Sequence, residues 1–420
     1  MFRVRVWLFA MLFVVVGASG ALAEGFSLYE YGARGISLGG AMMARTPDPS
    51  AVAYNPALIT KLPGKQLMVG VTAIRPVGEM KWEDTDGTRG TTALRSSIWA
   101  IPHFYYTCQI NDNFTFGIGE FSRFGLGFEY PHNWPGRFSI YEVSLLSGSL
   151  NPNIAWKVTN DLSIAAGIEL VYVDLDLKKR ARVAPLGNQE IDISITNATA
   201  WGVGGNLALH YDINDQWAVG FQYRSHVRVH AFGDTKFTYL GMSHPTLEAG
   251  FKNTFKDGTA HSVVVLPESL AGGISFSPTE DLSFEVGAIW TRWSRFRGLN
   301  IHMPNGLPTS KGPKDWENVW RFNLGVEYKV LEWLTLRAGY VWDESPMTSK
   351  FQDYLVPTDD RNIYSLGVGF HGEDWNLDFA YAYIEPGKRK YQQSEITNTL
   401  RSQTKSSHTQ MLSVSFSYEF

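Results

Sequence analysis

Alternation of residue type is the feature that most constrains the fold of this chain. From about Leu67 to the end, large apolar residues take one parity of successive segments, and small or polar residues take the other. A period of two residues is typical of a β-strand whose two faces have different surroundings. In the last segment the apolar parity consists of Leu412, Val414, Phe416, Tyr418 and Phe420. The pattern predicts an all-β chain with one apolar and one polar face.

Aromatic residues at the segment ends indicate what the apolar face contacts. In a soluble β-sandwich this face would form a core dominated by Val, Ile and Leu. Here the apolar parity begins or ends in an aromatic residue at Trp217, Trp290, Trp320, Trp342 and Trp375. Such positions are typical of the aromatic girdles of outer-membrane barrels. We therefore expect the apolar face to contact lipid in a bacterial outer membrane.

The alternating segments number about fourteen, an even number within the range of bacterial barrels. Their predicted ranges are 65–78, 92–111, 113–126, 143–158, 161–178, 190–212, 216–238, 256–278, 281–303, 316–329, 333–346, 361–372, 374–389 and 407–420. Tight turns are expected at Asp112, Asn160-Asp161, Asn214-Asp215, Thr279-Glu280, Leu331-Glu332 and Gly372-Glu373, with longer loops between them. This rhythm predicts a 14-stranded antiparallel transmembrane β-barrel over residues 65–420, with short periplasmic turns and long extracellular loops.

The first residues have the layout of a secretory signal peptide. Basic residues precede an apolar run from Val6 to Val16, and small residues end at Ala23. The run is shorter than the roughly 20 residues that a membrane anchor needs. We expect residues 1–23 to be a signal peptide. Phe420, on the apolar parity, is expected to present the last strand to the barrel assembly machinery.

Residues 24–64 differ from the rest, because they show no alternation and are rich in Gly and Pro. Short helical turns and loops are the expected result. A disordered tail is the alternative, but the segment carries too many apolar residues to remain in water, Phe26, Tyr31, Met42 and Ile59 among them. The sequence therefore predicts a plug that folds back into the barrel lumen.

Several short motifs follow one another along the chain. They are Gly25-Phe26, Gly35-Ile36-Ser37-Leu38-Gly39-Gly40-Ala41, Tyr54-Asn55-Pro56-Ala57-Leu58-Ile59, Phe124-Gly125-Leu126-Gly127, Tyr130-Pro131, Trp134-Pro135-Gly136-Arg137, Leu266-Pro267-Glu268, Trp290-Thr291-Arg292-Trp293-Ser294 and Trp342-Asp343-Glu344-Ser345-Pro346. This ordered set resembles the FadL family of outer-membrane long-chain fatty-acid transporters, which includes importers of toluene and xylene.

The resemblance implies a barrel closed by an N-terminal hatch whose motif corresponds to Asn55, Pro56 and Ala57. It also implies capture of a hydrophobic ligand by the loops, a lumenal pocket, movement of the hatch and lateral exit beside a kinked third strand. We place that strand at 113–126, where Gly117, Gly119 and Gly125 are the kink candidates; ordinary strand glycines are the alternative.

Two long loops carry apolar residues that are candidates for ligand capture. They are Phe128, Tyr130, Trp134 and Phe138 in one loop, and Leu240, Met242 and Phe251, with Tyr239, Leu247 and Phe255, in the other. Exposed apolar clusters usually mark binding surfaces. Packing between the loops is the alternative, and both can hold.

A fatty-acid carboxylate would need a cation at the end of an apolar pocket. On the strand 216–238 the parity opposite the lipid reads Gln222, Arg224, His226, Arg228 and His230. This predicts a basic ladder facing the lumen, and Arg321 and Arg337 are expected to face inward as well. Ion pairing with Glu285 or Glu327 is the alternative role. His226 and His230 are too far apart along a strand, roughly 13 Å, to share a metal.

No cofactor, metal or enzymatic motif is predicted, and the net charge of −4 gives no indication of nucleic acid as a partner. Expected partners are a hydrophobic ligand, outer-membrane lipid and lipopolysaccharide. The basic residues Lys178, Lys179, Arg180 and Arg182 could contact lipopolysaccharide phosphates, and a solvated loop is the alternative. The chain is expected to be a monomer. A general porin, an outer-membrane lipase and a surface receptor or adhesin are the rival interpretations.

Overall fold

In the computed structural model, residues 25–184, 187–241, 244–357 and 359–420 are described, and they form one closed antiparallel β-barrel of fourteen strands. The ring closes where the first strand pairs with the last, from Gln66 opposite Glu419 to Glu83 opposite Arg401. The predicted signal peptide lies outside the described residues.

Several of the fourteen passes through the wall are interrupted and consist of two shorter strands. The first seven passes are β1 (Lys65–Glu83), β2 with β3 (Arg89–Ala93, Trp99–Gln109), β4 with β5 (Phe114–Phe121, Leu126–Glu129), β6 (Glu142–Lys157), β7 (Leu162–Val183), β8 (Gln189–Asp212) and β9 with β10 (Trp217–Arg224, Val227–Tyr239). The next seven are β11 with β12 (Gly258–Leu266, Ser269–Phe276), β13 (Leu282–Thr291), β14 (Val319–Leu331), β15 (Leu334–Asp343), β16 (Arg361–His371), β17 (Trp375–Pro386) and β19 (Arg401–Glu419), beside which lies β18 (Lys390–Tyr391).

The predicted strand order is confirmed, while some boundaries differ. β13 ends at Thr291, well before residue 303, because the chain then turns inward and buries Trp293, Phe296 and Trp316. β19 begins at Arg401, before the predicted 407, because it pairs with the extension of β1 to Glu83. That extension lacks the lipid-facing pattern on which the prediction depended.

The two faces of the wall follow the predicted parity over most of the barrel. Outward residues are solvent-accessible apolar side chains, such as Leu412 at 63%, Leu366 at 63% and Trp320 at 44% exposure. Inward neighbours such as Ser413, Ser415 and Arg321 are buried by the contents of the lumen. Apolar side chains therefore cover the outside, whereas inward side chains such as these, in the lower lumen, are largely polar.

The seventh and eighth passes change parity at their interruptions, which overturns part of the predicted basic ladder. Arg224 in β9 is buried and faces the lumen, but the chain breaks at Ser225 and His226, and in β10 the buried residues are Val227 and Val229. His226, Arg228 and His230 are therefore exposed on the outside. A break of two residues shifts the alternation by one, which reverses the two faces of the strand.

Residues 25–64 lie inside the barrel as a hatch of short elements. They form α1 (Ala33–Ser37), α2 (Ala51–Tyr54) and a 3₁₀ helix (Pro56–Lys61), joined by turns. Leu38, Val52, Ala57 and Ile59 are no more than 1% exposed. The predicted plug in the lumen is confirmed.

Helices outside the hatch are short. They are α3 (Pro245–Thr254) and the 3₁₀ helices Pro135–Phe138 and Trp293–Arg295. Among the described residues, no helix is long and apolar enough to cross a membrane, a finding that has no bearing on crossing by strands.

Candidate functional site

The hatch is held to the wall by buried polar contacts. The carboxylate of Glu285 in β13 accepts hydrogen bonds from the backbone N–H groups of Met43 (2.6 Å), Ala44 (3.1 Å) and Arg45 (3.0 Å). The Arg45 side chain lies 3.6 Å from the same carboxylate. Glu285 thus satisfies three backbone donors and is the nearest carboxylate to the buried Arg45 cation, which also donates to Ser283 Oγ and the Gly325 carbonyl.

The Asn-Pro-Ala motif lies at the turn where the hatch passes close to the wall. The Asn55 side chain donates to the carbonyl oxygens of Met43 (2.6 Å) and Leu209 (3.1 Å), and its Oδ1 caps the 3₁₀ helix by accepting from Ala57 N–H (3.1 Å). Pro56 is the first residue of that helix, where a missing N–H costs nothing. A Cβ at Gly220 of β9 would lie 1.9 Å from the Met43 oxygen, so this approach requires glycine there.

The lower lumen contains a network of charged groups. Arg34 of the hatch binds Glu327 through two nitrogens (2.8 and 2.7 Å), and Arg337 donates to Glu327 and Asp378 (both 2.6 Å). Of the inward cations predicted from the sequence, Arg337 is therefore paired with Glu327, as the alternative interpretation expected. Arg321 faces inward and pairs with Asp343 at 3.3 Å.

Two buried hatch tyrosines make further contacts, Tyr54 through its hydroxyl group and Tyr31 through its backbone carbonyl. Tyr54 donates to the Tyr29 carbonyl (2.9 Å), and burial raises the pKa of Tyr54 well above its usual range. Burial also raises the pKa of Tyr31, whose backbone carbonyl accepts from Tyr105 of β3 (2.7 Å). Both phenols therefore remain protonated over the whole physiological pH range.

The third pass is interrupted between β4 and β5, at residues 122–125. There the start of the hatch pairs with it: Leu28 N–H donates to the Arg123 carbonyl (2.7 Å), and Gly125 N–H donates to the Phe26 carbonyl (2.9 Å). The third pass is thus interrupted at residues 122–125, whereas the kink candidates Gly117 and Gly119 lie within the regular part of β4. Their role is to leave space, since a Cβ at either would meet Val52 of the hatch at 2.8 and 3.2 Å. Gly125 does lie in the break.

Beside this break the wall loses its ladder. β4 pairs with β3 as far as Glu120 opposite Phe104, whereas residues 99–103 of β3 pair with β1 alone. The second and third passes meet again where Arg95 N–H donates to the Glu129 carbonyl (2.8 Å). Residues 99–103 and 121–128 therefore have no ladder between them, and the start of the hatch pairs with the second of these segments.

An apolar cavity with about 770 Å³ of empty space fills the upper lumen, on the side of the long loops. Its walls come from the passes on both sides of the barrel, with Leu126 and Leu145 near the third-pass break and Ala198, Val229 and Leu266 opposite. Apart from His261 and Ser262, the residues that line it are apolar.

Aromatic rings form the floor of this apolar cavity. Phe26 contacts Trp293 (4.7 Å between ring centroids), Phe296 (5.3 Å) and Phe124 (6.0 Å). Below them, the next hatch residues line a second cavity with about 430 Å³ of empty space, together with Arg123, Gln222 and Arg224. Phe26 therefore separates an apolar compartment from a polar one.

In the polar compartment two arginines share one carboxylate. Arg123 donates to Glu169 at 2.8 Å, and Arg224 lies 3.4 Å from the same oxygen. Arg224 also donates to the carbonyl oxygens of Ala53 (2.8 Å) and Val52 (3.4 Å) at the end of α2, while its Nε is buried without a hydrogen-bond partner. The alternation along the strand predicts an inward Arg224, but neither Arg123 nor Glu169 was predicted from the sequence. Arg123 lies in the strand break, where alternation gives no direction.

The candidate capture residues are mostly buried. Phe128, Tyr130 and Trp134 are no more than 4% exposed and stack toward Tyr354, with Tyr130 and Trp134 at 4.2 Å and Trp134 and Tyr354 at 5.0 Å between centroids. Phe251 is 7% exposed and packs on Phe255. These four residues therefore pack between loops, which was the alternative to ligand capture.

The other capture candidates lie nearer the surface. Phe138 is half-buried between the guanidinium groups of Arg137 and Arg182, and Leu240 is 43% exposed. Met242 lies outside the described residues.

One group in the described part of the chain has the ligand types of a metal site, namely Glu129, His132 and Glu142, with ligand atoms within 4.8 Å of one another. Both carboxylates already have cationic partners, since Glu129 pairs with Arg95 and Glu142 with Lys178 (2.8 Å).

Known proteins are similar to this chain along nearly its whole length. Residues 14–420 match the family model described as "Outer membrane protein transport protein (OMPP1/FadL/TodX)". The chain is 25% identical to outer membrane protein P1 of Haemophilus influenzae, over 97% of each protein. It is 24% identical to the long-chain fatty acid transport protein of Escherichia coli O6:H1, over 89% of this chain and 90% of that protein.

Solved structures share the fold. A Pseudomonas aeruginosa FadL homologue superposes with a TM-score of 0.86 and 19% identity, over 94% of this chain and 100% of that one. The Pseudomonas putida toluene transporter TodX superposes with a TM-score of 0.74 and 19% identity, over 93% of this chain and 98% of that one.

Proposed function

We propose that this chain, which belongs to the OMPP1/FadL/TodX family and transports hydrophobic compounds across the bacterial outer membrane, carries long-chain fatty acids. The observation that carries the proposal is the order of the two lumenal cavities. An apolar cavity leads to a polar one in which Arg123 and Arg224 face a single carboxylate, Glu169. The apolar walls of the first suit an acyl chain, and the two arginines of the second, which share one carboxylate, suit a carboxylate head group.

The route begins at the loops and enters the apolar cavity. Passage to the polar cavity requires the Phe26 ring to move from its place against Trp293 and Phe124. Such aromatic contacts contribute only about 0.5–1.5 kcal/mol each beyond burial, so thermal motion can open the floor.

Arg224 connects ligand binding to the hatch. The same guanidinium that would bind the carboxylate donates to the carbonyl oxygens of Val52 and Ala53. A ligand that draws Arg224 toward itself weakens the hold on α2, and the hatch then shifts. We propose lateral exit beside the third pass, because the hatch residues Phe26 and Leu28 are hydrogen-bonded to its edge.

Radiolabelled oleate and toluene binding to the purified, detergent-solubilised protein tests the cargo. Arg224→Gln should weaken oleate binding roughly ten- to hundredfold, since a charge-assisted hydrogen bond contributes about 1.5–3 kcal/mol. Arg228→Gln, on the outer face of the next strand, is the matched control and should bind oleate as the unmodified protein does. Equal oleate affinity for both variants would refute the role of the cluster.

Aromatic hydrocarbons are the second candidate cargo, favoured by the ring-lined cavity floor and by the likeness to the toluene transporter. Toluene binding without oleate binding would establish it. Binding of neither compound would favour a porin or a receptor, and ion conductance in planar bilayers would distinguish these two.

We further propose that the chain acts as a monomer without enzymatic activity, and that the outer end of β7 contacts lipopolysaccharide. Arg182 is exposed there, although Lys178 and Arg180 are engaged by Glu142 (2.8 Å) and Glu190 (3.0 Å), and Lys179 donates to Ser310 (3.0 Å).

A further inference from the structure

A second interruption of the barrel wall lies between the sixth and seventh passes. The ladder joins β8 to β9 from Asp212 opposite Ala218 up to Asn206 opposite Arg224, and it resumes between β8 and β10 at Thr199 opposite Phe232. Between these points, no register pair joins residues 200–205 to residues 225–231, and all of these residues are described. We call this stretch the seam.

The strands on either side of the seam keep their other neighbours. Residues 199–205 of β8 pair with 168–174 of β7, and residues 227–231 of β10 pair with 262–266 of β11. The interruption is therefore confined to one line in the wall. Unpaired backbone groups at membrane depth are costly, so an interruption of this kind calls for a reason.

Side chains of the seventh pass seal the seam from inside. A Cβ at Gly202 would lie 2.4 Å from Val227 and 2.9 Å from Val229, and a Cβ at Gly204 would lie 2.8 Å from Val227. At Gly202 and Gly204, β8 therefore has no side chain, and Val227 and Val229 pack over its backbone. At the lower end, Ser225 N–H donates to the Gly205 carbonyl, and Gly205 N–H donates to Ser225 Oγ (both 2.9 Å).

The seam separates the apolar cavity from outer-leaflet lipid. On its inner side, Val229, Ala198 and Ala231 line the cavity. On its outer side, Trp201 and Val203 are 69% and 66% exposed, and Trp201 packs against Tyr172 at 5.1 Å between ring centroids. Paired outward aromatic side chains are typical of the interface girdle, which places the seam at the level of the outer leaflet.

From these observations we infer that the seam is a second lateral port, through which a hydrophobic ligand already dissolved in the outer leaflet enters the apolar cavity without passing the loops. The inference rests on the proposed function for its cargo. Its gate consists of Val227 and Val229, whose side chains can withdraw because no ladder joins the two strands across the seam. The port lies across the cavity from the break in the third pass.

A reversible disulfide tests the port. Gly202→Cys with Val227→Cys, in a Cys108→Ser background, places two thiols on residues that face each other across the seam, since a Cβ at Gly202 would contact the Val227 side chain. The matched control is Val286→Cys with Leu324→Cys, which staples an outward pair that is already joined in the β13–β14 ladder. Both proteins are assembled reduced and then oxidised, so each serves as its own folding control.

The readout is time-resolved photolabelling in proteoliposomes, with a diazirine-bearing stearic acid dissolved in the bilayer beforehand. Oxidation of the seam pair should slow labelling of the cavity residues several-fold, leave the final labelling level unchanged and have no effect in the control pair. Unchanged labelling kinetics after complete oxidation would overturn the port. Equilibrium oleate binding of the reduced protein in detergent is measured separately, and its absence would refute the proposed function instead.

Discussion

The lower and upper halves of the lumen are built on opposite principles. Below, the hatch is fixed by paired charges and capped backbone groups, as at Glu285, Asn55 and Arg34. Above, aliphatic side chains surround empty space, and few polar contacts cross it. Directional bonds define one position for the hatch, whereas an apolar cavity accepts ligands of different shape because its contacts have no preferred direction. One half of the lumen thus fixes the position of the hatch, and the other half can accept different ligands.

The largest effect is expected from removing the acceptor that holds the hatch. Glu285→Ala leaves three backbone N–H groups and the Arg45 cation without their main partner. Breaking a buried pair in this way costs about 3–5 kcal/mol. Urea titration should show the loss, and planar bilayers should show new ion conductance as the hatch loosens.

The control for Glu285→Ala is Glu332→Ala, which removes an exposed pair with Lys329 at a turn and should leave the barrel unchanged. If Glu285→Ala matched this control in both measurements, the lower half would not be held by directional bonds.

An intermediate effect is expected at Gly220, where the wall has no side chain and the hatch backbone packs directly against it. Gly220→Ala places a methyl group against the Met43 carbonyl and should destabilise the protein by about 1–3 kcal/mol through overpacking. Gly148→Ala is the control, because its Cβ would meet only the flexible Glu120 side chain, at 3.2 Å. Urea titrations of the two variants that coincide would contradict a close fit between hatch and wall.

The smallest effect is expected in the upper half. Val264 lines the empty cavity, so Val264→Ala should cost about 1 kcal/mol, whereas Val52→Ala, in the fully buried hatch, should cost about 2–3 kcal/mol. Urea titration measures the loss of unfolding free energy in both variants. Equal losses would show that the two halves are packed alike. Val264→Ala should in addition favour bulkier ligands in competition with oleate.

Lipid contact explains why the strands could be predicted. The outward residues from Leu412 to Phe420 all face lipid, so they are apolar and the alternation is visible in the sequence. Interruptions of the wall have no such signal. The break at Ser225 and His226 reversed the faces, and Arg228 and His230 were placed in the lumen although they lie outside.

The candidate site was predicted only in part, for a related reason. Asn55 and Arg224 belong to recognisable patterns, a hatch motif and an inward strand parity. Arg123 and Phe26 lie in segments whose direction is set by contacts between the hatch and the third pass, across about a hundred residues of chain. The same lack of local signal led Gly117 and Gly119 to be interpreted as kink residues when they make room for Val52.

Closure of the ring has a consequence for the order of assembly. β1 follows the hatch directly, yet its partner is the last strand, so Gln66 opposite Glu419 joins nearly the two ends of the chain. Ala33 of the hatch likewise donates to Ser415 Oγ (2.8 Å). Contacts of such sequence separation form late, because the intervening chain must first be ordered. The newly made sheet therefore keeps two open edges until the last strand pairs with β1, and the same step forms the contact between that strand and the hatch.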